Sequence, residues 1–159
     1  MHATAMGREP GRQTIRLQTL SELNSLRFPA TNPSDPGAVE TIEIETVAGF
    51  CEKHGIDRID VLKIDAQGAD LDVLQGAGHL LQSARVPFVL AEVGFVAGDV
   101  TNQPFEPLHR HLTDHGFHLS GFYNMFSYGA RLARLGWCDA LYVHPEALEQ
   151  WFPDRPGAA

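Results

Sequence analysis

The stretch Asp60–Ala77, DVLKIDAQGADLDVLQGA, decides the fold. It contains most of a short and nearly continuous apolar run, Ile59–Asp65, which is typical of a buried strand in a mainly parallel sheet. A helix is predicted over Ala69–Leu81, and a second apolar run, Val86–Val93, follows it. Strand, helix and strand in this order predict a βαβ unit, in which the two strands are parallel neighbours and the helix is their crossover.

The residues that follow these two strands are candidates for a functional site. In an open α/β sheet, ligands bind beyond the carboxyl ends of the strands. Asp65 ends the first strand, Gln67 follows it, Gly68 allows a tight turn into the helix, and Glu92 closes the second strand. We therefore predict that Asp65 and Glu92 point toward one edge of the sheet, within reach of one ligand. The spacing equally allows Asp65 to cap the helix or brace the loop.

Further elements are predicted on both sides of this unit. β-Branched and alternating residues indicate strands, one of which, Val39–Thr46, has the pattern of a strand with one solvated face, and apolar residues at helical spacing indicate helices. The strands are Gln13–Leu17, Val39–Thr46, Phe117–Tyr123 and Cys138–His144, and the helices are Val47–His54, capped by Thr46, and Phe105–His115. The last two strands lack a long helix between them, which predicts an antiparallel pair. The proline-rich segment Phe28–Gly37 is predicted to be a surface loop.

Composition excludes several classes of function. The chain has 159 residues, enough for one domain, and carries 12 Lys and Arg against 20 Asp and Glu, a formal net charge of −8. An acidic chain is poorly suited to nucleic acid or to an anionic membrane surface. There is no apolar run long enough for a membrane span and no signal peptide, so we expect a cytoplasmic protein. Cys51 and Cys138 are then expected to be buried free thiols.

The segment VLKIDAQGADLDVLQGA resembles the signature of FkbM-type methyltransferases. The matching residues are Lys63, Ile64, Asp65, Gly68, Ala69, Val73, Leu74, Gly76 and Ala77. Gln67 and Asp70 both stand where the family usually has Glu, so one carboxylate is lost from the site and one is kept. Weaker similarity extends the resemblance from about Thr4 to His144.

The resemblance implies a Rossmann-like α/β fold and S-adenosylmethionine-dependent methyl transfer. The acceptor would be a hydroxyl oxygen of a sugar or glycan, a lipid or a small natural product. Asp65 and Glu92 would be the catalytic bases or orienting groups. The cofactor-binding residues would be Ala5, Met6, Asp65, Gln67 and Gly68.

Part of the family pattern is missing from these residues. The first strand, the Gly-rich loop and the acidic end of the second strand of the family have no counterpart here. The Gly-x-Gly at Gly76–Gly78 follows a helix and is expected to stop it. We therefore expect an N-terminally truncated methyltransferase domain over residues 1–152, with a disordered tail over 153–159 and weak cofactor binding. The alternative is a catalytically inactive remnant that acts as a binding or interaction module.

Two other clusters have both a functional and a structural interpretation. Four histidines lie close together in sequence: His109, His111, His115 and His118. His111 and His115 have the i, i+4 spacing that can hold a metal. Solvated surface histidines are the simpler interpretation, so no metal site is assigned. An aromatic and polar stretch could line an acceptor pocket or could serve packing alone; it comprises Tyr123, Asn124, Phe126 and Tyr128.

Overall fold

A computed structural model describes residues 4–17, 24–27, 38–129 and 134–153. Its strands are β1 (Ala5–Met6), β2 (Gly11–Arg16), β3 (Val39–Glu45), β4 (Val61–Ile64), β5 (Phe88–Gly94), β6 (His118–Tyr128) and β7 (Arg134–Val143). Its helices are α1 (Val47–His54), α2 (Asp70–Ala77), α3 (His79–Gln82), α4 (Phe105–Asp114) and α5 (Pro145–Trp151). The predicted loop Phe28–Gly37 and all but the first residue of the predicted tail lie outside the described residues.

The described strands form two sheets in an α/β arrangement. The smaller sheet has the order β1-β3-β2 and the larger one β4-β5-β7-β6. Only β1 with β3 and β4 with β5 are parallel, while the other pairs are antiparallel. The prediction of a mainly parallel sheet therefore needs correction. Strand β7 lies between β5 and β6 and is antiparallel to both. The larger sheet therefore has one parallel pair, β4 with β5, and two antiparallel pairs.

The predicted βαβ unit is confirmed. Strands β4 and β5 are parallel neighbours, with Lys63 beside Leu90, and the predicted crossover lies between them in sequence. That crossover consists of two helices, α2 and α3, because Gly78 adopts φ 45° between them. Gly76, which was also expected to stop the helix, lies inside α2.

The core lies between the larger sheet and helices α2 and α4. On β5, alternate residues Val89, Ala91 and Val93 are fully buried. They belong to one apolar cluster with Leu74 of α2 and Leu108 of α4. Burial of each large aliphatic side chain stabilises the fold by roughly 1.5–3 kcal/mol. The residues of β5 between them, including Glu92, point to the other face of the sheet.

A close approach of two backbone segments joins the smaller sheet to α2. A Cβ at Gly76 would overlap the carbonyl oxygen of Gly7, the residue that follows β1. Gly7 in turn donates its N–H to the carbonyl of Glu45 at the end of β3, at 2.9 Å. This contact keeps β1 beside α2, near the end of β4.

Several local predictions agree with the structure, and two elements, β1 and α5, were missed. Helix α1 has the predicted bounds, with the Thr46 hydroxyl accepting from the Gly49 N–H at 2.9 Å. Strands β6 and β7 form the predicted antiparallel pair but are both longer than expected. Helix α5, capped by His144, was not predicted. Both cysteines are buried and free.

Candidate functional site

Asp65 and Glu92 lie side by side at the carboxyl ends of two parallel strands. Ile64 of β4 is paired with Ala91 of β5, and Asp65 and Glu92 are the next residue on each chain segment. Paired residues on parallel strands point to the same face of the sheet. The structure therefore brings the two predicted catalytic carboxylates together at one edge.

A third carboxylate continues this line across the sheet. Asp139 of β7 is directly opposite Glu92, and Tyr123 of β6 is opposite Asp139. We call Asp65, Glu92 and Asp139 the carboxylate row. Tyr123 ends the row and is about half exposed, at 51%.

Amide side chains hold the two outer members of the carboxylate row. Gln67 Nε2 donates to Asp65 Oδ1 at 3.2 Å, and Asn124 Nδ2 donates to Asp139 Oδ2 at 2.7 Å. Among the described residues, no hydrogen bond joins the Glu92 side chain to another group. The central carboxyl is therefore the one whose oxygens are open to a ligand.

The surroundings of Glu92 favour its neutral form. Partial burial is the largest cause and, together with the nearby carboxylates of Asp65, Asp70 and Asp139, raises the pKa of Glu92 to about 7. Lys63 opposes this effect but does not cancel it. A carboxyl with this pKa exchanges a proton readily near neutral pH, as a general acid or base must.

Asp70, rather than Asp65, braces the turn before the helix. Its side chain is 1% exposed, and Oδ1 accepts from the Ala66 N–H at 3.4 Å. Oδ2 has no partner within the part of the chain that the structure describes. Burial raises the pKa of Asp70 to about 6. Asp65 is about half exposed, accepts from the Gln67 side-chain amide and lies 3.4 Å from the Lys63 ammonium group.

The turn between β4 and α2 is shaped by its glycine and by two contacts from other segments. Gln67 and Gly68 adopt φ 48° and 87°. A Cβ at Gly68 would lie 2.9 Å from the carbonyl oxygen of Val100. Ser25 donates its hydroxyl to the Gln67 carbonyl at 2.7 Å. The turn is therefore fixed between two loops that are distant in sequence.

A cleft of about 400 Å³ opens between the smaller sheet and β4. Ala5, Met6 and Asp65 line it, so three of the five predicted cofactor-binding residues meet there. Gln67 and Gly68 lie in the turn beside it. Ala5 and Met6 form strand β1. The other lining residues are mostly apolar: Ile15, Asn24, Ser25, Leu26, Ile42, Val47, Leu62, Lys63, Ile64, Ala66 and Val73.

The histidines engage in contacts of their own. His109 Nδ1 lies 3.2 Å from the hydroxyl of buried Tyr142, and the rings of His111 and His115 are 4.4 Å apart. Across the described residues, no three His, Cys, Asp or Glu side chains are grouped so that they could hold a metal ion. Nor does any helix described here have the length and apolar character needed to cross a membrane.

The aromatic and polar stretch of β6 divides between the two interpretations. Phe126 stacks on Trp137 with ring centroids 5.5 Å apart, which is packing between β6 and β7. Tyr123 and Asn124 instead adjoin the carboxylate row. Sequence reasoning missed Asp139, although one signal was present: it is the charged residue of an otherwise apolar predicted strand, CDALYVH.

Comparison with known proteins assigns most of the chain to one domain family. A family model described as "Methyltransferase FkbM domain" matches residues 5–119, more than half of the chain. The match includes Asp65, Glu92 and the residues of the cleft, whereas Asp139 lies beyond its end. No curated protein matches the chain. No solved structure matches it either.

Proposed function

Because the chain belongs to the FkbM methyltransferase family, we propose that it methylates a hydroxyl oxygen with S-adenosylmethionine as the donor. The acceptor class we propose is a sugar or glycan, a lipid or a small natural product. The observation that carries the proposal is Asp65, which lines the cleft together with Ala5 and Met6 and has Glu92 beside it on the neighbouring strand.

The cleft fits part of such a cofactor. Its volume falls within the range of small-molecule sites, and its lining is mostly apolar, with few polar groups. Met6 and Ala5 suit the flat, apolar part of the cofactor, and Asp65 suits a hydroxyl or a positive charge. Because polar groups are few, we expect weak binding.

The chain's own residues would position the acceptor and receive its proton. When bound, S-adenosylmethionine supplies a methyl group on a positively charged sulfur. Glu92 would accept the proton of the acceptor's hydroxyl group as the acceptor oxygen receives the methyl group. Alignment of the reacting atoms supplies much of the rate enhancement in such a displacement. The general base adds typically ~10²–10⁴-fold.

The first test is a titration with S-adenosylmethionine followed by NMR, which detects weak binding. We expect the amide resonances of Ala5, Met6 and Asp65 to move. Asp65→Asn should weaken binding by roughly tenfold or more, since a hydrogen bond to a charged group contributes about 1.5–3 kcal/mol. Asp60→Asn removes an exposed carboxylate at the other end of β4 and is the matched control. Shifts confined to other surfaces, or none at millimolar cofactor, would contradict the proposal.

The second test is the pH dependence of methyl transfer. Candidate alkyl glycosides, long-chain alcohols and phenols are supplied as acceptors, and release of S-adenosylhomocysteine is measured. Glu92 must be ionised to accept a proton, so kcat should rise with pH and level off above about 7. Glu92→Gln should lower kcat by about 100-fold or more and abolish this rise. A Glu92→Gln variant with the wild-type rate and pH profile would exclude Glu92 as the base.

A further inference from the structure

Asp139 faces Glu92 from a strand that is remote in sequence. The two residues are directly opposite each other on antiparallel strands β5 and β7. In such pairs the Cα atoms lie about 4.5–5.5 Å apart and the side chains share one face of the sheet. A carboxylate in this position favours the neutral form of Glu92.

Asn124 holds Asp139 in this place. Its Nδ2 donates to Asp139 Oδ2 at 2.7 Å, and its backbone adopts φ 48°, in the left-handed region. Asn tolerates that region better than most residues. The β6–β7 register shifts between Tyr123 and Phe126, so the irregular part of β6 is the part that carries this amide. The bond therefore restrains Asp139 from turning out into solvent.

We infer that Asp139, held by Asn124, is a positioning residue that keeps Glu92 suited to accept and hold a proton near neutral pH. The role assigned to Glu92 rests on the proposed function, whereas the coupling of the two carboxyls does not. Asp139 lies beyond the matched domain residues, so nothing in the family match assigns it a part in the site.

The charged groups around Glu92 support this inference. Lys63 of β4, Asp65 just after β4, Asp70 of α2 and Asp139 of β7 all act on it electrostatically, so three carboxylates oppose one ammonium group. Removal of one negative charge should let Glu92 ionise more easily. The same neighbours, after burial, are the causes that raise the pKa of Glu92.

The test is a pH titration of the Glu92 side-chain carboxyl by ¹³C NMR in the chain without cofactor or acceptor. We expect Asp139→Asn, which preserves the shape of the side chain, to lower the midpoint by roughly half a pH unit. Asn124→Gly, which removes the amide and suits the positive φ, should lower it by less. Asp60→Asn, at the far end of β4, should leave it unchanged.

The outcomes separate this inference from the proposed function. A Glu92 midpoint that stays the same or rises in Asp139→Asn would overturn the inference, whatever the catalytic results. If Asp139→Asn does not fold, an unchanged midpoint in Asn124→Gly would overturn it equally. Failure to bind S-adenosylmethionine or to transfer a methyl group would count against the proposed function alone, because the titration needs neither ligand.

Discussion

At the scale of single residues, Gly68 bears two separate constraints. Its φ of 87° disfavours any side chain, and a Cβ would lie 2.9 Å from the Val100 carbonyl oxygen. Gly68→Ala should therefore lower the free energy of unfolding by about 2–3 kcal/mol, combining left-handed strain with the loss of that packing. Unfolding in urea measures this change.

Gly98→Ala is the matched control for the turn. Gly98 has a similar φ of 79°, but a Cβ there would meet nothing within 4 Å. Only the backbone strain should then appear, roughly 1–2 kcal/mol. Equal losses in the two variants would show that the contact between the turn and Val100 does not constrain residue 68.

The sequence predicts a site residue only where the order of strands along the chain shows which strands are neighbours. Asp65 follows β4 and Glu92 lies near the end of β5, and parallel pairing within one βαβ unit brings such positions together. Asp139 could not be assigned, because pairing of β5 with β7 joins segments far apart in the chain and depends on tertiary packing. Asn124 acts through a left-handed backbone and one hydrogen bond, and neither leaves a pattern in the sequence.

At the scale of elements, the start of α1 depends on one hydroxyl. Thr46 accepts from the Gly49 N–H, satisfying a donor that the helix itself leaves unpaired. Thr46→Ala should lower the free energy of unfolding by about 1 kcal/mol, whereas Thr46→Ser keeps the acceptor and should change it little. Equal effects of the two substitutions in urea unfolding would show that the hydroxyl has no capping role.

Helix α2 shows how tertiary contact overrides helix propensity. In a free helix Gly→Ala stabilises by about 1 kcal/mol. At Gly76 the Gly7 carbonyl occupies the space of a Cβ, so Gly76→Ala should instead destabilise by about 2 kcal/mol or more. Gly11→Ala, where a Cβ meets nothing within 4 Å, should not destabilise comparably. Higher stability of Gly76→Ala in urea would contradict the close approach of β1 to α2.

Local signals account for the elements that were predicted well. The cap at Thr46 and the glycine at position 55 fix both ends of α1, and both signals lie in adjacent sequence. Glycine often ends a helix, but Gly76 lies inside α2. It must be glycine because the carbonyl oxygen of Gly7, the residue after β1, occupies the space of a Cβ. A glycine inside a helix therefore cannot be assigned to one role from sequence alone.

At the scale of the whole molecule, sheet order was the least predictable property. The apolar runs of β4 and β5 correctly indicated a parallel pair, but they do not determine what lies beyond it. Strand β7 pairs with β5 on one side and β6 on the other, both antiparallel. This order also positions Asp139 beside Glu92, so the topology completes the carboxylate row.

Glu92 and Asp70 should make the stability of the whole chain depend on pH in an unusual direction. The pKa of Asp70 is raised from 3.8 to about 6 and that of Glu92 from 4.5 to about 7. Between pH 4 and 7 the folded state therefore binds more protons at these groups than the unfolded state. Their contribution to stability is present below the unfolded pKa values and is lost as pH rises through the folded ones.

Two variants isolate this contribution from that of the other titrating groups. Asp70→Asn and Glu92→Gln stay neutral, so each should gain stability relative to wild type as pH rises. The gain should level off above about pH 6 for Asp70→Asn and above about pH 7 for Glu92→Gln. For Asp70, whose side chain is 1% exposed, the gain should not exceed about 3 kcal/mol. Urea unfolding at pH 4.5, 6 and 8 measures the difference from wild type. A difference that does not change with pH would mean that these carboxyls are as easily ionised in the fold as in water.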